Sequence, residues 1–287
     1  MSHQHSAILI TGCSSGIGYY AARGLKARGY RVFATARKQD DVERLRAQGL
    51  ESLRLDLDSS ESIHAAVEEI LELTAGRLYG LFNNGGYGQP GAVEDLSRDM
   101  LRAQFETNVF GSIELTNAVI PIMRRQGFGR IIQNSSVLGL VALPYRGAYN
   151  ASKYALEGFY DTLRLELADT NIQVSLIEPG PIESRFRANA HAVYQRTIDV
   201  EHSRHYSTYR AMEQRLTKPG PVAPFTLGPE AVLVKLLHAL ESPHARAHYY
   251  VTVPTWFFGI LKRVLPTCGM DWILRRVSRG ENSGKST

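Results

Sequence analysis

Tyr149 and Lys153 lie four residues apart in Tyr149-Asn150-Ala151-Ser152-Lys153, a spacing that stacks both side chains on one face of a helix. A phenol beside an ammonium makes an acid/base pair. The cation favours the phenolate, and bringing a tyrosine from about 10 to about 7 takes about 4 kcal/mol of differential stabilisation. Upstream, Asn134-Ser135-Ser136 ends in a hydroxyl that can donate to a substrate oxygen as charge develops on it, although a serine here also reads as a turn residue. Asn108, within Thr107-Asn108-Val109-Phe110-Gly111, is a poor helix-interior residue, so its amide is expected to have a specific task; the plainer reading is a surface asparagine. In a chain with fourteen tyrosines, Tyr-x-x-x-Lys alone is weak, and its position in the fold must carry the assignment.

A nucleotide-binding frame supplies that position. The first apolar strand runs into Thr11-Gly12-Cys13-Ser14-Ser15-Gly16-Ile17-Gly18, which then opens a helix. Gly12, Gly16 and Gly18 fit the sharp turn, the close approach to a pyrophosphate and the packing of helix on strand. Ser14, Ser15 and Ile17 bring backbone N–H groups of the helix start to the anion. An ordinary glycine-rich turn would look similar, but the strand-loop-helix order favours a dinucleotide. At the end of the second strand, Ala34-Thr35-Ala36-Arg37-Lys38 offers no carboxylate for the ribose hydroxyls of NAD. Arg37, with the Ser14 hydroxyl, instead suits the 2′-phosphate of NADP(H), the alternative being a solvated basic pair at a helix start. Asp56, closing the third strand, can accept from the adenine amino group or cap the next helix.

Short β-branched runs alternate with amphipathic stretches along the chain, the pattern of a parallel sheet wrapped by helices. Strands are expected at Ala7 to Thr11, Arg31 to Thr35, Ser52 to Asp56, Gly80 to Asn83, Arg130 to Asn134, Gln173 to Ile177 and His248 to Thr252. Helices are expected near Ile17 to Arg28, Asp41 to Gln48, Ser60 to Leu73, Ser97 to Arg125, Tyr149 to Ala168 and Pro229 to Leu240. The fold class is therefore α/β: a Rossmann-type, doubly wound, parallel seven-stranded sheet with helices on both faces. In such sheets ligands bind beyond the carboxyl ends of the strands, where every candidate residue falls.

With 287 residues and 44% hydrophobic content, the chain is expected to form one catalytic domain over residues 1–253, with a basic amphipathic extension over 254–287. The formal charge of +5 resides in the last part of the chain: residues 246–287 hold seven basic and two acidic side chains, leaving a neutral body. That distribution, with no basic stripe or base-stacking motif, argues against nucleic acid as a partner. Cys13 and Cys268 have no metal-ligand spacing, and the start of the chain has no apolar secretory run, so a cytoplasmic, disulfide-free protein is expected.

Taken together, Thr11 to Gly18, Asn83-Asn84-Gly85-Gly86, Asn108, Ser136, Tyr149/Lys153 and Pro179-Gly180-Pro181-Ile182-Glu183-Ser184 resemble the short-chain dehydrogenase/reductase family. The resemblance implies that Tyr149 is the acid/base and that Ser136 orients a carbonyl. It implies that Lys153 lowers the tyrosine pKa and holds the nicotinamide ribose, as Tyr149 and Lys153 both touch cofactor. It further implies that Asn108 carries a water in a relay to Lys153. Asn83, Gly85, Pro179, Gly180, Ile182 and Ser184 are the remaining implied cofactor contacts. Gly86 departs from the alanine usual in the family, which removes no functional group. Cys13-Ser14-Ser15, Ala36-Arg37 and Leu176-Ile177-Glu178 resemble the branch of 17β-hydroxysteroid dehydrogenases, retinol dehydrogenases and bacterial NADP-dependent aldehyde reductases. A lipophilic aldehyde or ketone, or the corresponding alcohol, is the implied substrate.

Residues 185–225 read as an insertion covering substrate, with Phe186, Tyr194, Tyr206, Tyr209, Met212 and Leu216 as an apolar lining. In the extension, Trp256, Phe257, Ile260, Leu261 and Val264 fall on one helix face, and Met270, Ile273, Leu274 and Val277 on another. Such stripes pack on their own domain, on a second subunit of a homo-oligomer, or on an anionic membrane as a peripheral contact; the first two are favoured. His202 and His205 lack a third ligand, so no metal is expected, and Gly284-Lys285-Ser286 lacks the helix a phosphate loop needs. A non-catalytic NADP(H)-binding sensor is the alternative function, but it would not need Tyr149, Lys153 and Ser136 together. A sugar-nucleotide epimerase would need a tighter glycine loop and a larger C-terminal domain.

Overall fold

The computed structural model describes residues 6–220 and 223–282, with side chains through residue 278; Gly284-Lys285-Ser286 lies outside the described residues. Seven strands, β1 (Ala7–Ile10), β2 (Arg31–Ala36), β3 (Glu51–Arg54), β4 (Gly80–Asn83), β5 (Gly129–Asn134), β6 (Ile172–Glu178) and β7 (His248–Tyr250), form one sheet in the order β3-β2-β1-β4-β5-β6-β7. Every pairing is parallel. The order reverses between β1 and β4, which opens a crevice at their carboxyl ends.

Helices cover both faces because parallel strands are apolar on both sides. On one face α3 (Ser60–Leu73), α5 (Gly111–Gln126) and α6 (Gly147–Glu166) enclose Leu9, Phe33, Leu81 and Ile131. On the other, α1 (Gly16–Ala27), α2 (Gln39–Ala47) and α9 (Glu230–Glu241) enclose Ile8, Ile10, Phe82 and Ile132. Neighbouring strand residues thus feed opposite cores, as the twofold alternation of a strand requires.

The long helix expected over Ser97 to Arg125 is divided. It runs as α4 (Arg98–Phe105), a π-helical turn over Glu106–Phe110, and then α5. The wide turn carries Asn108, whose amide bonds both backbone groups of Tyr87. A π-turn inserted in an α-helix leaves the 3.6-residue pattern legible on either side, so periodicity hides it.

After β6 come α7 (Phe186–Thr197) and α8 (Tyr206–Thr217), and after β7 come α10 (Val253–Val264) and α11 (Thr267–Asn282). Tyr194, Tyr209, Met212 and Leu216 do not line a substrate cavity. They form a third small core between α7, α8 and Ala92, fixed by the Tyr209 hydroxyl, which donates to Asp95 at 2.6 Å and accepts from the Ala92 N–H at 2.8 Å. Tyr206, read as part of the same face, is exposed.

Candidate active site

The carboxyl ends of β1, β4, β5 and β6 surround a cavity of about 750 Å³. Its first wall is the glycine loop. Gly12 and Gly16 have φ of +70° and +59°, and a Cβ on Gly12 would stand 2.8 Å from Gly85 Cα. A side chain is excluded there on both counts. Gly18 packs more deeply, since a Cβ would meet Gly12 O and Asn84 Nδ2 at 2.5 Å; it shapes the loop and does not line the cavity. Helix α1 starts at Gly16 with no side-chain cap from Ser15 and no acidic residue in its first turn, which leaves its N–H groups to an anion.

The loop after β4 is clamped to this wall by Thr11, whose Oγ1 accepts from the N–H groups of Asn84 and Gly85 at 2.9 and 2.8 Å. Asn84 Nδ2 donates to Thr11 O and Gly12 O, and Asn134 Nδ2 donates to Asn84 Oδ1. The Asn83 side chain is buried and turned away, donating to Thr116 and Tyr160 at 2.7 and 2.8 Å. Its neighbour Asn84 faces the cleft instead.

Pro179, Gly180, Ile182 and Ser184 form the opposite wall, and a Cβ on Gly16 would lie 3.0 Å from Ser184 Cβ. Arg37 and Asp56 lie outside the cavity lining. Arg37 is exposed, while Asp56 is half-buried, with Oδ1 accepting from the Asp58 N–H. Arg44 on α2, which the sequence reading missed, donates to Ser14 O and to Asp41, both at 2.7 Å, and so stands beside the expected phosphate position. Its signal was its place two helical turns after Arg37.

Tyr149, Ser136 and Lys153 meet at the centre. The Tyr149 phenol hydrogen-bonds to Ser136, whose Oγ also accepts from the Leu138 N–H at 3.1 Å. Lys153 Nζ donates to Asn134 O at 2.8 Å and stands 5.6 Å from the centre of the Tyr149 ring. Tyr149 lines the cavity and is half-buried, and desolvation pushes its phenol up to about 12 against the opposing Ser136 bond. Burial also pushes Lys153 down to about 8, opposed by Glu157. In this environment burial outweighs the Ser136 bond and favours the protonated phenol.

Asn108 is buried and fully engaged as a donor, not the surface asparagine of the plainer reading. Its Nδ2 donates to Tyr87 O and Ser152 Oγ while its Oδ1 accepts from Tyr87 N–H, so the side chain holds the β4 loop against α6. Gly86 fits this contact, because a Cβ there would come 3.0 Å from Asn108 Oδ1.

The outer cavity is mainly apolar, with Arg146, Arg185, Asn189 and Arg215 also on its lining. Val137, Leu138 and Leu143 line one side, and Phe186, Phe225 and Phe258 another. Phe186 packs on Tyr149 with ring centroids 5.3 Å apart. His202 and His205 engage different carboxylates, Asp199 and Glu94, and both cysteines are free. A second cluster missed in the sequence, Glu157, Glu178 and His248, brings its ligand-type atoms within 4.8 Å of one another behind the serine loop.

A glycine-lined crevice at the strand-order reversal, ending in a Ser-Tyr-Lys group, defines a dinucleotide-binding oxidoreductase of the doubly wound class. Residues 6–195 match the family model described as short chain dehydrogenase, and the chain belongs to that family. It is 45% identical over 269 residues to an uncharacterized oxidoreductase, YbbO, of Escherichia coli K12, covering 94% of each chain. It is 34% identical over 263 residues to human 17-beta-hydroxysteroid dehydrogenase type 1, covering 86% of this chain and 77% of that one. Among solved structures, an actinorhodin polyketide ketoreductase with NADPH superposes with a TM-score of 0.70 at 29% identity, over 86% of this chain and 95% of that one.

Proposed function

We propose that the protein is an NADP(H)-dependent reductase of lipophilic aldehydes and ketones, also able to oxidise the corresponding alcohols. One observation carries the reading: Tyr149, Ser136 and Lys153 converge at the inner end of a cavity whose outer wall is mainly aromatic and aliphatic. The crevice fits a dinucleotide, since Gly12 and Gly16 leave open the space that side chains would fill and the start of α1 faces it. Gly12 to Ile17 would hold the pyrophosphate, and Pro179 to Ser184 the nicotinamide end. When bound, the nicotinamide supplies the hydride. Ser136 donates to the substrate carbonyl oxygen, Tyr149 delivers its proton to that oxygen, and Lys153 keeps the ribose and the phenol in register. A phenol held protonated suits this direction.

Preference for NADP(H) is supported by the presence of Arg37 and the absence of a carboxylate at the end of β2, and by Arg44, which donates to Ser14 O. Arg37→Asp is expected to move the NADPH/NADH ratio of kcat/KM toward NADH by at least about tenfold; an unchanged ratio would sink the phosphate assignment. The 340 nm band of NADPH, followed with a homologous series of straight-chain aldehydes, tests the substrate class. Rates should rise with alkyl length, whereas a preference for small hydroxy acids or sugars would refute it.

Residues 1–253 would be the catalytic domain, with the 254–287 extension completing the cleft through Phe257, Phe258 and Val277. A homo-oligomer is supported by the exposed Phe110, Phe159 and Leu165 on the α5–α6 side, and light scattering checks it. Free cysteines suit a cytoplasmic location. Among the described residues no helix is long and apolar enough to cross a membrane.

A further inference from the structure

Tyr149, Lys153 and Glu157 follow one another at four-residue steps on the same face of α6. The first two reach the cavity, and the third points behind it. There the Ser135 hydroxyl, one residue before the catalytic serine, donates to Glu157 Oε1. Glu178 closes β6 immediately before Pro179, is fully buried, and accepts from the Tyr249 N–H at 3.0 Å. His248, at the start of β7, joins these groups: Nδ1 lies 2.6 Å from Glu178 and 3.8 Å from Glu157, and Nε2 lies 3.2 Å from Asp161. The cluster therefore ties together the serine loop, the Tyr-Lys helix and the strand that leads into the nicotinamide segment.

We propose that Glu157 is a positioning residue for the acid/base pair: it anchors the serine loop through Ser135, and its negative charge holds the Lys153 ammonium. Glu178, Asp161 and His248 set how much of that charge is present at a given pH. The proposal rests on reading Tyr149 and Lys153 as the acid/base pair.

The charges facing Glu157 favour this role. From α6 they are Lys153 and Asp161, with Arg164 bonded to Asp161 at 3.0 Å. From β6 and β7 they are Glu178 and His248. From α10, Lys262 also feels Glu157, while its Nζ sits over the Tyr154 ring. Tyr154 and Tyr250 are the nearby phenols, and both are raised in part by Glu157. Lys153 is thus the cation on the cavity side and Lys262 the cation on the outer side. Burial beside Glu178 pushes Glu157 up to about 7, so its charge changes near neutrality, while the bond to Glu178 raises His248. Protons then leave the cluster as a coupled set.

Two variants separate anchor from charge. Glu157→Gln keeps an acceptor for Ser135 but removes the charge, whereas Ser135→Ala removes the anchor and leaves the charge. For carbonyl reduction, the alkaline limb of kcat/KM against pH should move down by about 0.5–1 unit in Glu157→Gln, because loss of a nearby anion makes Lys153 and Tyr149 easier to deprotonate. Ser135→Ala should lower kcat with the limb in place. The His248 ring, titrated by NMR without substrate or cofactor, should ionise at lower pH in Glu157→Gln and be unmoved in Ser135→Ala. If Glu157→Gln folds poorly, His248→Gln takes its place and should move the limb upward. A limb unmoved in whichever charge variant folds, or moved equally by Ser135→Ala, would overturn the proposal. Tyr149→Phe separates the two readings: an active Tyr149→Phe defeats the acid/base assignment itself, while an inactive one with an unmoved Glu157→Gln limb defeats only the role of Glu157.

Discussion

Tyr149 shows how residue spacing and environment answer different questions. Spacing placed the phenol and ammonium on one helix face, and the structure puts Lys153 Nζ 5.6 Å from the ring, but only tertiary burial reveals which ionisation state the protein favours. Because the hydroxyl is the proposed proton donor and adds little to cofactor binding, Tyr149→Phe should lower kcat/KM by about 10²–10⁴-fold with NADPH affinity nearly unchanged. Stopped-flow and fluorescence titration would measure the two. Asn83 and Asn84 mark the limit of such reading: the residues are chemically identical, and only the end of β4 decides which side chain faces the cleft. Glu157 was visible as the third residue of the Tyr-Lys row, yet nothing local announces that Glu178 and His248, far along the chain, close around it. Its folded-state pKa is raised, so its contribution to stability is complete below its unfolded value of about 4.5 and is lost as pH climbs through about 7. Glu157→Gln, neutral throughout, should accordingly gain stability relative to the parent over that window, by on the order of 1–3 kcal/mol at its upper end. Urea denaturation at pH values spanning the window would show it, and a difference that stays constant with pH would count against it.

Elements with a strong local period were legible, and interruptions of period were not. All seven strands emerge close to their expected positions because each is a short apolar run bounded by turn residues. The division of the Ser97 to Arg125 segment was hidden, since a π-turn changes register by one residue without changing composition. The cause of the local geometry is visible at Gly111, the first residue of α5, where a Cβ would stand 1.9 Å from Leu57 O. Helix and loop backbones touch there, and neither side can yield as a flexible side chain would. Gly111→Ala should therefore cost on the order of 3 kcal/mol despite the better helix propensity of alanine, and calorimetry should find a lower Tm. An unchanged Tm would mean that the α3–α5 layer is more deformable than its packing implies. The insertion after β6 gives the complementary lesson. Its aromatic stripe was read as a substrate lining, but a stripe does not name its partner, and Tyr194 and Tyr209 bury against each other instead of around substrate.

At the scale of the whole molecule, the extension carries +4 of the chain's +5 charge and also contributes Phe257, Phe258 and Val277 to the cavity lining. The two helices divide these tasks unevenly. Met270 on α11 is buried and Phe258 on α10 turns to the cavity, whereas Trp256, Ile260 and Val264 on α10 and Trp272 on α11 remain exposed, and Phe257 lines the cavity while staying exposed. An apolar wall set apart from Tyr149 and Ser136 should be felt by the tail of a long substrate and not by a short one. Each methylene that reaches such a wall is worth about 0.8 kcal/mol, or roughly fourfold in kcat/KM, until the cavity is filled. Phe258→Ala should flatten that increment for long aldehydes, raising their KM by about tenfold, and leave the shortest aldehyde within about twofold of the parent. The comparison separates a cleft-closing extension from one whose task lies at a lipid surface. If the extension works as a membrane contact, the intact protein should float with anionic vesicles and Phe258→Ala should affect short and long aldehydes alike. If it closes the cleft, the protein should stay with the soluble fraction and the loss should grow with chain length.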